Sequence, residues 1–462
     1  MAAISNLELY LTNIATGVSY TIVPLVGGYS PSPGNGSDIV TESIQCMISG
    51  TEAEIKVKIQ TVNLLLDAAR RYADLPALGP IALKFRWNHG DMLMASVVLD
   101  GQISLQAGGL EAQLQAGKVK AQITIKRRGW WDATISTNTN LYNGNGSSVG
   151  PLNLYNCDDR SGVSPNVRSN WVYLKSDANY LQSDLPMPVR LAIQNKTNDT
   201  DGISTIYLAN NVLPGYITEG TATTRIALFT MEAESGTGGS DTADAAASGG
   251  KYRIYSLTTA AETDIISWTL SLDLCAYGAG RLYHVMARFH PAGTSIPNVK
   301  FRLQLLSGST VIWNGPQVLP TTANLIQDLG VINIPMGHWW EVTGGLNLKI
   351  TAQRTTGVTE TVNLDFVQFF QADDFIKLVG MNELEYNNTL YVGYETYVST
   401  LYRNAGGIKY RDWIAYGPEF MRVYPENSNI LMMLVQSGNL AKAEITRLAA
   451  VAASYYERRA LV

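Results

Sequence analysis

Residues that usually carry chemistry are scarce in this chain. Three cysteines (Cys46, Cys157, Cys275) and four histidines (His89, His284, His290, His338) are spread over 462 residues. Each cysteine lies more than 100 residues from the next, so neither a disulfide framework nor the short spacing of a zinc knuckle is present. Charge is thin as well: 16% of residues are charged, and 34 Lys and Arg stand against 39 Asp and Glu for a net charge of -5. That balance argues against nucleic acid or an anionic membrane as a partner held by bulk electrostatics. No apolar run approaches the ~18 residues of a spanning helix. The opening Met1-Ala-Ala-Ile-Ser-Asn-Leu-Glu-Leu-Tyr10 lacks a basic segment followed by an apolar stretch, so neither a membrane span nor a secretory signal is expected. A Gly-rich loop ending in Lys-Ser/Thr, a Gly-x-Ser-x-Gly elbow and a His-Glu-x-x-His helix are all missing, and the expectation is a protein that is not an enzyme. A polysaccharide-active enzyme stays open as an alternative, because two facing carboxylates leave no signature in spacing.

What is present is apolar material in short pieces. Hydrophobic residues make up 46% of the chain, enough for sizeable cores, and the length fits roughly three domains at about 150 residues each. Period-two alternation, as in Glu54-Ile-Lys-Val-Lys-Ile59 and Lys120-Ala-Gln-Ile-Thr-Ile-Lys126, predicts half-buried strands. Forty-one glycines punctuate such runs, so the fold class is all-β with a minor α component. One helix is predicted over 62–73, where apolar residues recur at three and four before Asp74 and Pro76.

Residues 1–132 read as a strand-rich domain with that helix, closing on Arg127-Arg-Gly-Trp-Trp-Asp132. The paired Arg and Trp side chains are expected to seal the strand end onto a neighbouring domain or subunit, although guanidinium on indole is also a phosphate-binding pattern. Residues 133–150, rich in Ser, Thr, Asn and Gly, read as a linker. Strands follow at 170–174 and 189–193, and the small-residue stretch Ser235 to Gly250 opens a new module as one loop. About eight strands between it and Phe370 suggest a jelly roll. The segment Ala443 to Arg459 has helix-forming alanines yet alternates, and a final strand is favoured. Tyr outnumbers Phe 24 to 9, a composition suited to subunit interfaces.

The sharpest local pattern is Met231-Glu232-Ala-Glu234, then Gly249-Gly-Lys-Tyr252, then Asn363-Leu-Asp365-Phe366. On one strand Glu232 and Glu234 point the same way, and a nearby Val362–Phe370 strand would add Asp365. Three carboxylates crowded together are either solvated or bound to a hard cation, best Ca²⁺.

These residues resemble the β-jelly-roll carbohydrate-binding modules that begin with an aromatic-Glu-Ala-Glu strand, over about 229–372. The pieces are Met231 to Glu234, Ala247 to Tyr252, Tyr283 to Phe289 and Asn363 to Phe366, with Met231 in place of the usual aromatic. The resemblance implies a structural Ca²⁺ held by Glu232, Glu234 and Asp365, and a sugar contact at Asn363. The flanks are similar to the distal tail proteins of long-tailed bacteriophages, from Leu7-Glu-Leu-Tyr-Leu11 through the helix to Ile123-Thr-Ile-Lys-Arg-Arg-Gly-Trp-Trp-Asp132, and at Met421-Arg-Val-Tyr-Pro-Glu-Asn-Ser-Asn-Ile-Leu431. There the family's Pro-Gly-x-Asn turn carries Glu426 instead of glycine. This likeness implies a ring-forming β-sandwich domain over 1–132 and a discontinuous galectin-like β-sandwich over 150–228 plus 373–462, with the inserted jelly roll over 229–372. It further implies a tail-tip component of a virion, assembled in the host bacterial cytoplasm as a homo-oligomer, a hexameric ring. The partners expected are other phage tail proteins and host cell-surface glycans; another virion part, such as a tail tube, baseplate or capsid decoration protein, is the alternative. On this reading identical copies cover the edges of the opening sheet, and the inserted lobe projects freely.

Overall fold

A computed structural model of the chain describes residues 7–32, 39–87, 91–106, 110–134, 137–139, 141–143, 146–148, 152–157, 169–174, 185–196, 203–215, 227–290, 298–320, 325–337, 344–384, 389–395, 398–403, 408–409, 414–416, 421–437, 449–455 and 458–459. The protein is mostly β, built from several antiparallel sheets with three α-helices among the described residues.

The first sheet has eight strands. Its main path runs Ser19–Thr21, Glu8–Asn13, Ile81–Arg86, Met94–Leu105, Lys118–Arg128 and Ile39–Ser49. Against it packs the helix Glu52–Arg71, longer than the sequence predicts because Glu54 to Ile59 is helical and not a strand. The alternation there fits either period. The capping box decides: Thr51 accepts from the Glu54 backbone N–H while the Glu54 carboxylate accepts from Thr51 N–H. Ile55, Val62, Leu65, Leu66 and Ala69 then form one buried stripe, whereas Val57, its partner in the strand reading, is 59% exposed. Two shorter helices, Leu110–Gln115 and Leu272–Gly278, were not expected.

The chain itself meets part of the margin of this sheet, whose main path ends on Ser19–Thr21 and Ile39–Ser49. The segment from Ser19 bonds first to strand Glu8–Asn13, then crosses over so that Leu25 N–H donates to Gln45 O and Met47 N–H to Val23 O. A second closure comes from the far end of the chain. Arg458–Arg459 pairs with Trp131–Ala133, which itself pairs with Met94–Leu105. Arg458, assigned by sequence to the sandwich, donates through Nε and Nη2 to the two Asp132 oxygens at 2.6 and 3.1 Å and lies 4.6 Å over the Trp130 ring. Arg127 is fully buried: it donates to Glu42, Ser32 O and Arg128 O and sits 4.3 Å over Trp131. The basic-aromatic cluster is therefore an internal seal, and Arg127 is not available to a phosphate.

Residues 133–150 are not a plain linker. Thr137–Thr139, Leu141–Asn143 and Gly146–Ser148 are strands, and Tyr142 is buried against Tyr173 with ring centroids 5.3 Å apart. They enter two further sheets. One has seven strands in the order Gly146–Ser148, Leu141–Asn143, Trp171–Leu174, Asn427–Ser437, Ile203–Pro214, Ile376–Leu384 and Ile414–Tyr416. The other, with eight, is centred on Met187–Asn195 between Ala449–Tyr455 and Thr389–Glu395. Of the segment Ala443 to Arg459, where a strand is favoured over a helix, Ala449–Tyr455 and Arg458–Arg459 are strands and the rest lies outside the described residues. The turn before Asn427 keeps the left-handed backbone expected of glycine, with Glu426 at φ 62°.

Residues 227–371 hold two more sheets. A six-stranded one contains Ser240–Ala243, Lys251–Leu257, Glu360–Gln371, Leu282–Phe289 and Ile326–Asn333, with Thr230–Glu232 beside Glu360–Gln371. A four-stranded one runs Thr263–Thr269, Leu346–Arg354, Val299–Ser307, Thr310–Asn314. This insert does not project freely. The seven-stranded sheet turns Leu431, Met433 and Val435 toward the eight-stranded sheet around Met187–Asn195, and Ile430, Met432 and Leu434 into a core shared with the insert. Buried amides complete the seam. Asn170 and Gln368 exchange hydrogen bonds at 2.6 and 3.1 Å, and Asn211 donates to Phe369 O and accepts from Gln371 N–H at 2.6 and 2.8 Å.

At the exit from the insert, Asp374 is buried at 2% exposure in the single turn Ala372–Asp374. Burial outweighs the hydrogen bond from Tyr424 and the Arg422 charge, and its carboxyl is pushed up to about 6.

Two outcomes follow from these buried charges. Arg458→Ala leaves Asp132 buried without its guanidinium, and urea unfolding should show a loss of about 3–5 kcal/mol, mostly recovered in Asp132→Leu/Arg458→Met. For Asp374 the folded pKa lies above the unfolded one, so its stabilising contribution is complete below about pH 4 and lost as pH rises through 6. Asp374→Asn should therefore be more stable than the wild type at pH 8, by up to about 3 kcal/mol, with the difference vanishing near pH 4 in the same assay.

Candidate functional site

The three acids singled out by sequence meet at one loop of the insert. Strand Thr230–Glu232 pairs with Glu360–Gln371 so that Glu232 lies opposite Phe366, one residue from Asp365. The strand ends there. Glu234 sits in the one-turn helix Ala233–Ser235, so the expected same-face geometry of a continuous strand does not hold. What unites the acids is the turn Ser248–Gly250. Ser248 Oγ donates to Glu232 Oε1 at 2.9 Å, and its N–H donates to Asp365 at 3.0 and 3.3 Å. Gly249 is left-handed at φ 64° and closes on the other two carboxylate oxygens. A Cβ there would stand 2.5 Å from Glu234 Oε1 and 3.7 Å from Glu232 Oε2. Glycine is required on both counts, backbone angle and space.

The acids differ in charge environment. Asp365 is fully buried and paired with the equally buried Arg288, whose guanidinium lies 5.6 Å over the Phe366 ring. Glu234 has no such counter-charge: its Oε2 is buried without a hydrogen bond, and burial pushes the carboxyl above its usual range, Asp241 adding to the shift while Lys251 and Arg253 oppose it. Arg253 instead holds the surrounding backbone, donating to Glu234 O at 3.1 Å, to Gly238 O at 2.5 Å and to Gly236 O, and pairing with Asp241 at 2.7 Å. That strand pairing through Ser240–Ala243 breaks up what the sequence presents as one loop.

Among the described residues no three His, Cys, Asp or Glu side chains converge as a metal-ligand set. Glu232 and Glu234, at one glycine and with a buried oxygen of Glu234 unbonded, fit a hard cation that takes carboxylate and carbonyl oxygens. Asp365 reaches the loop through Ser248 and is neutralised by Arg288. Sequence reasoning missed Ser248 and Arg288. The second was legible: a lone Arg in Tyr283-His-Val-Met-Ala-Arg-Phe289, an otherwise apolar strand, needs a buried carboxylate.

Asn363 is 2% exposed in the middle of Glu360–Gln371, and its carbonyl accepts from His290 N–H at 2.8 Å. Its side chain is covered, so a sugar reaches it only if neighbouring groups move. His290 stacks on Tyr252 at 4.1 Å and faces Asp244 at 3.3 Å.

Comparison with known proteins adds little. No family model matches the chain, and no curated protein does. A structure of the infectious bursal disease virus Gx strain aligns over 71% of this chain and 78% of its own, at 10% identity and a TM-score of 0.14. T=1 particles derived from infectious bursal virus align over 85% and 82%, at 9% identity and a TM-score of 0.12. Scores at this level do not amount to a shared fold.

Proposed function

We propose that the protein is a structural subunit of a virion, a distal tail protein whose first sheet and helix build a ring and whose insert contacts host glycans. The supporting observation is where apolar side chains meet solvent on that first unit. Val23, Val26 and Ile39 flank its Ile39–Ser49 edge at 56%, 106% and 63% exposure, and Leu64 stands out from the long helix at 71%. Association through such apolar side chains buries them from water. The sequence resemblance of residues 1–132 to ring-forming tail proteins supports reading that association as a ring.

The insert carries a Ca²⁺ between Glu232 and Glu234, with Asp365 and Arg288 anchoring Ser248 beside it. The ion supplies the positive charge that Glu234 lacks. No catalytic step is assigned.

Electron micrographs of the purified chain should show closed rings, and Val26→Asp/Leu64→Glu should yield folded monomers by light scattering; a wild-type chain that stays monomeric at high concentration ends the ring reading. For the ion, the raised carboxyl of Glu234 contributes stability at low pH that is lost as pH rises through its folded value. Glu234→Gln should therefore melt above the wild type at pH 8 without divalent ions. Added Ca²⁺ should raise the wild-type Tm and leave that of Glu234→Gln unchanged; equal response in both proteins removes the site.

A further inference from the structure

A groove of 420 Å³ opens between the edge strand Thr230–Glu232 of the six-stranded sheet and the edge strand Thr263–Thr269 of the four-stranded sheet. Its size lies in the roughly 300–1,000 Å³ range of small-molecule clefts. The lining chemistry is unusual for such a cleft. Of its ten lining residues none is ionisable, and six carry hydroxyls.

Some of those groups are engaged and so fixed in place. Thr269 Oγ1 donates to Asn347 Oδ1 at 2.7 Å, Ser271 Oγ accepts from Leu274 N–H at 3.1 Å, and Ser235 Oγ donates to Glu232 O at 2.7 Å. Each keeps a lone pair for a ligand. Thr237 and Ser267 are different. Their backbones pair with each other, N–H to O in both directions at 2.8 and 3.1 Å, while their hydroxyls meet no hydrogen-bond partner among the described residues. Trp268 Nε1 is spent on Glu232 O at 2.9 Å and the indole is 5% exposed, so only its rim borders the groove. Gly236 lets it sit there, since a Cβ at that position would come within 2.8 Å of Nε1.

We infer that this groove is a binding site for a neutral saccharide unit. An anionic ligand finds no cation, a cationic one no carboxylate, and an apolar one would strand the hydroxyls of Thr237 and Ser267 without partners. A ligand presenting several hydroxyls satisfies them, with the rim of the fixed indole, Leu228 and Met231 as its apolar border. The inference deepens the glycan contact proposed above and gives it a place, away from the covered Asn363.

The test uses the full chain. A glycan array finds neutral oligosaccharides that bind, and titration calorimetry measures one of them against wild type and Thr237→Val/Ser267→Ala, which removes both hydroxyls and keeps the backbone pairing. A loss of roughly tenfold or more in affinity, with ring assembly intact in micrographs, is the expected result. Unchanged affinity in the variant moves the glycan site elsewhere and overturns this groove alone. Binding restricted to acidic glycans also overturns it. An array with no binding overturns both the groove and the glycan contact, while the ring reading is judged separately by microscopy.

Discussion

The structure depends on a sheet that is covered on both faces. Once Asn427–Ser437 and Ile203–Pro214 are sandwiched between the eight-stranded sheet and the insert, residues 205–213 and 428–436 are buried and their polar groups have no water to fall back on. Each one needs a partner inside, since an unmet amide costs about 1–3 kcal/mol. The seam supplies them. Asn170 and Gln368 bond to each other in both directions, Gln368 also reaches Thr230 Oγ1 at 3.0 Å, and Asn211 acts on Phe369 O and Gln371 N–H as a second strand would. Directional bonds of this kind fix the insert's orientation in a way that apolar contact by itself does not.

The same constraint shapes the carboxylates. Three buried acids are matched by an arginine, Glu42 by Arg127, Asp132 by Arg458 and Asp365 by Arg288, while Glu360 takes a hydrogen bond from the Thr356 hydroxyl. Two others are less well matched. Half-buried Glu234 and buried Asp374 have their carboxyls pushed upward, and both lie at ends of the insert, one just after its first strand and one just after its last. Charge left without a full counter-charge stores free energy that a proton or a cation can release. Such groups make the ends of the insert sensitive to solution conditions, while its centre, pinned by amides, is not.

Much of this was legible in the sequence, and the failures have particular causes. The strands at 282–289, 299–305, 346–351 and 362–370 read correctly because apolar runs between glycines mark buried strands. Glu360–Gln371 also carried a further signal, buried at every position but Thr361, in that Val362-Asn-Leu-Asp-Phe-Val-Gln-Phe-Phe370 does not alternate and so must be covered on both faces. That pattern spoke against a freely projecting lobe. Glu54–Ile59 misled because alternating apolar residues also satisfy a helix once Thr51 and Glu54 cap it. The stretch 133–150 misled because its composition is that of a linker, while two residues, Leu141 and Tyr142, supply enough burial to hold it in a sheet. The nearness of Glu232 and Glu234 to Gly249, and of Asp365 to the neighbouring Ser248, was visible in the residues; the pairing of Asp365 with Arg288 was half visible, in the lone arginine of an apolar strand. The groove beside Trp268 was not, because its residues come from segments whose spacing in sequence carries no periodic signal.

Rigid docking of the insert changes what its surface is for. A tethered lobe samples many orientations and loses that freedom on binding, at a cost that reduces affinity. Here the freedom is already gone, removed by the shared core and the amide seam, so any ligand taken up in the groove is held at a fixed angle to the seven-stranded sheet. The Arg458–Asp132 pair extends the same rigidity to the first sheet. Its strand follows directly on Ala449–Tyr455, which pairs with Met187–Asn195 and Thr137–Thr139, so the antiparallel pairing runs from one sheet into the other. If copies associate through the first unit, their inserts are then set at repeated positions around the assembly, and several weak contacts act together without any one of them being strong.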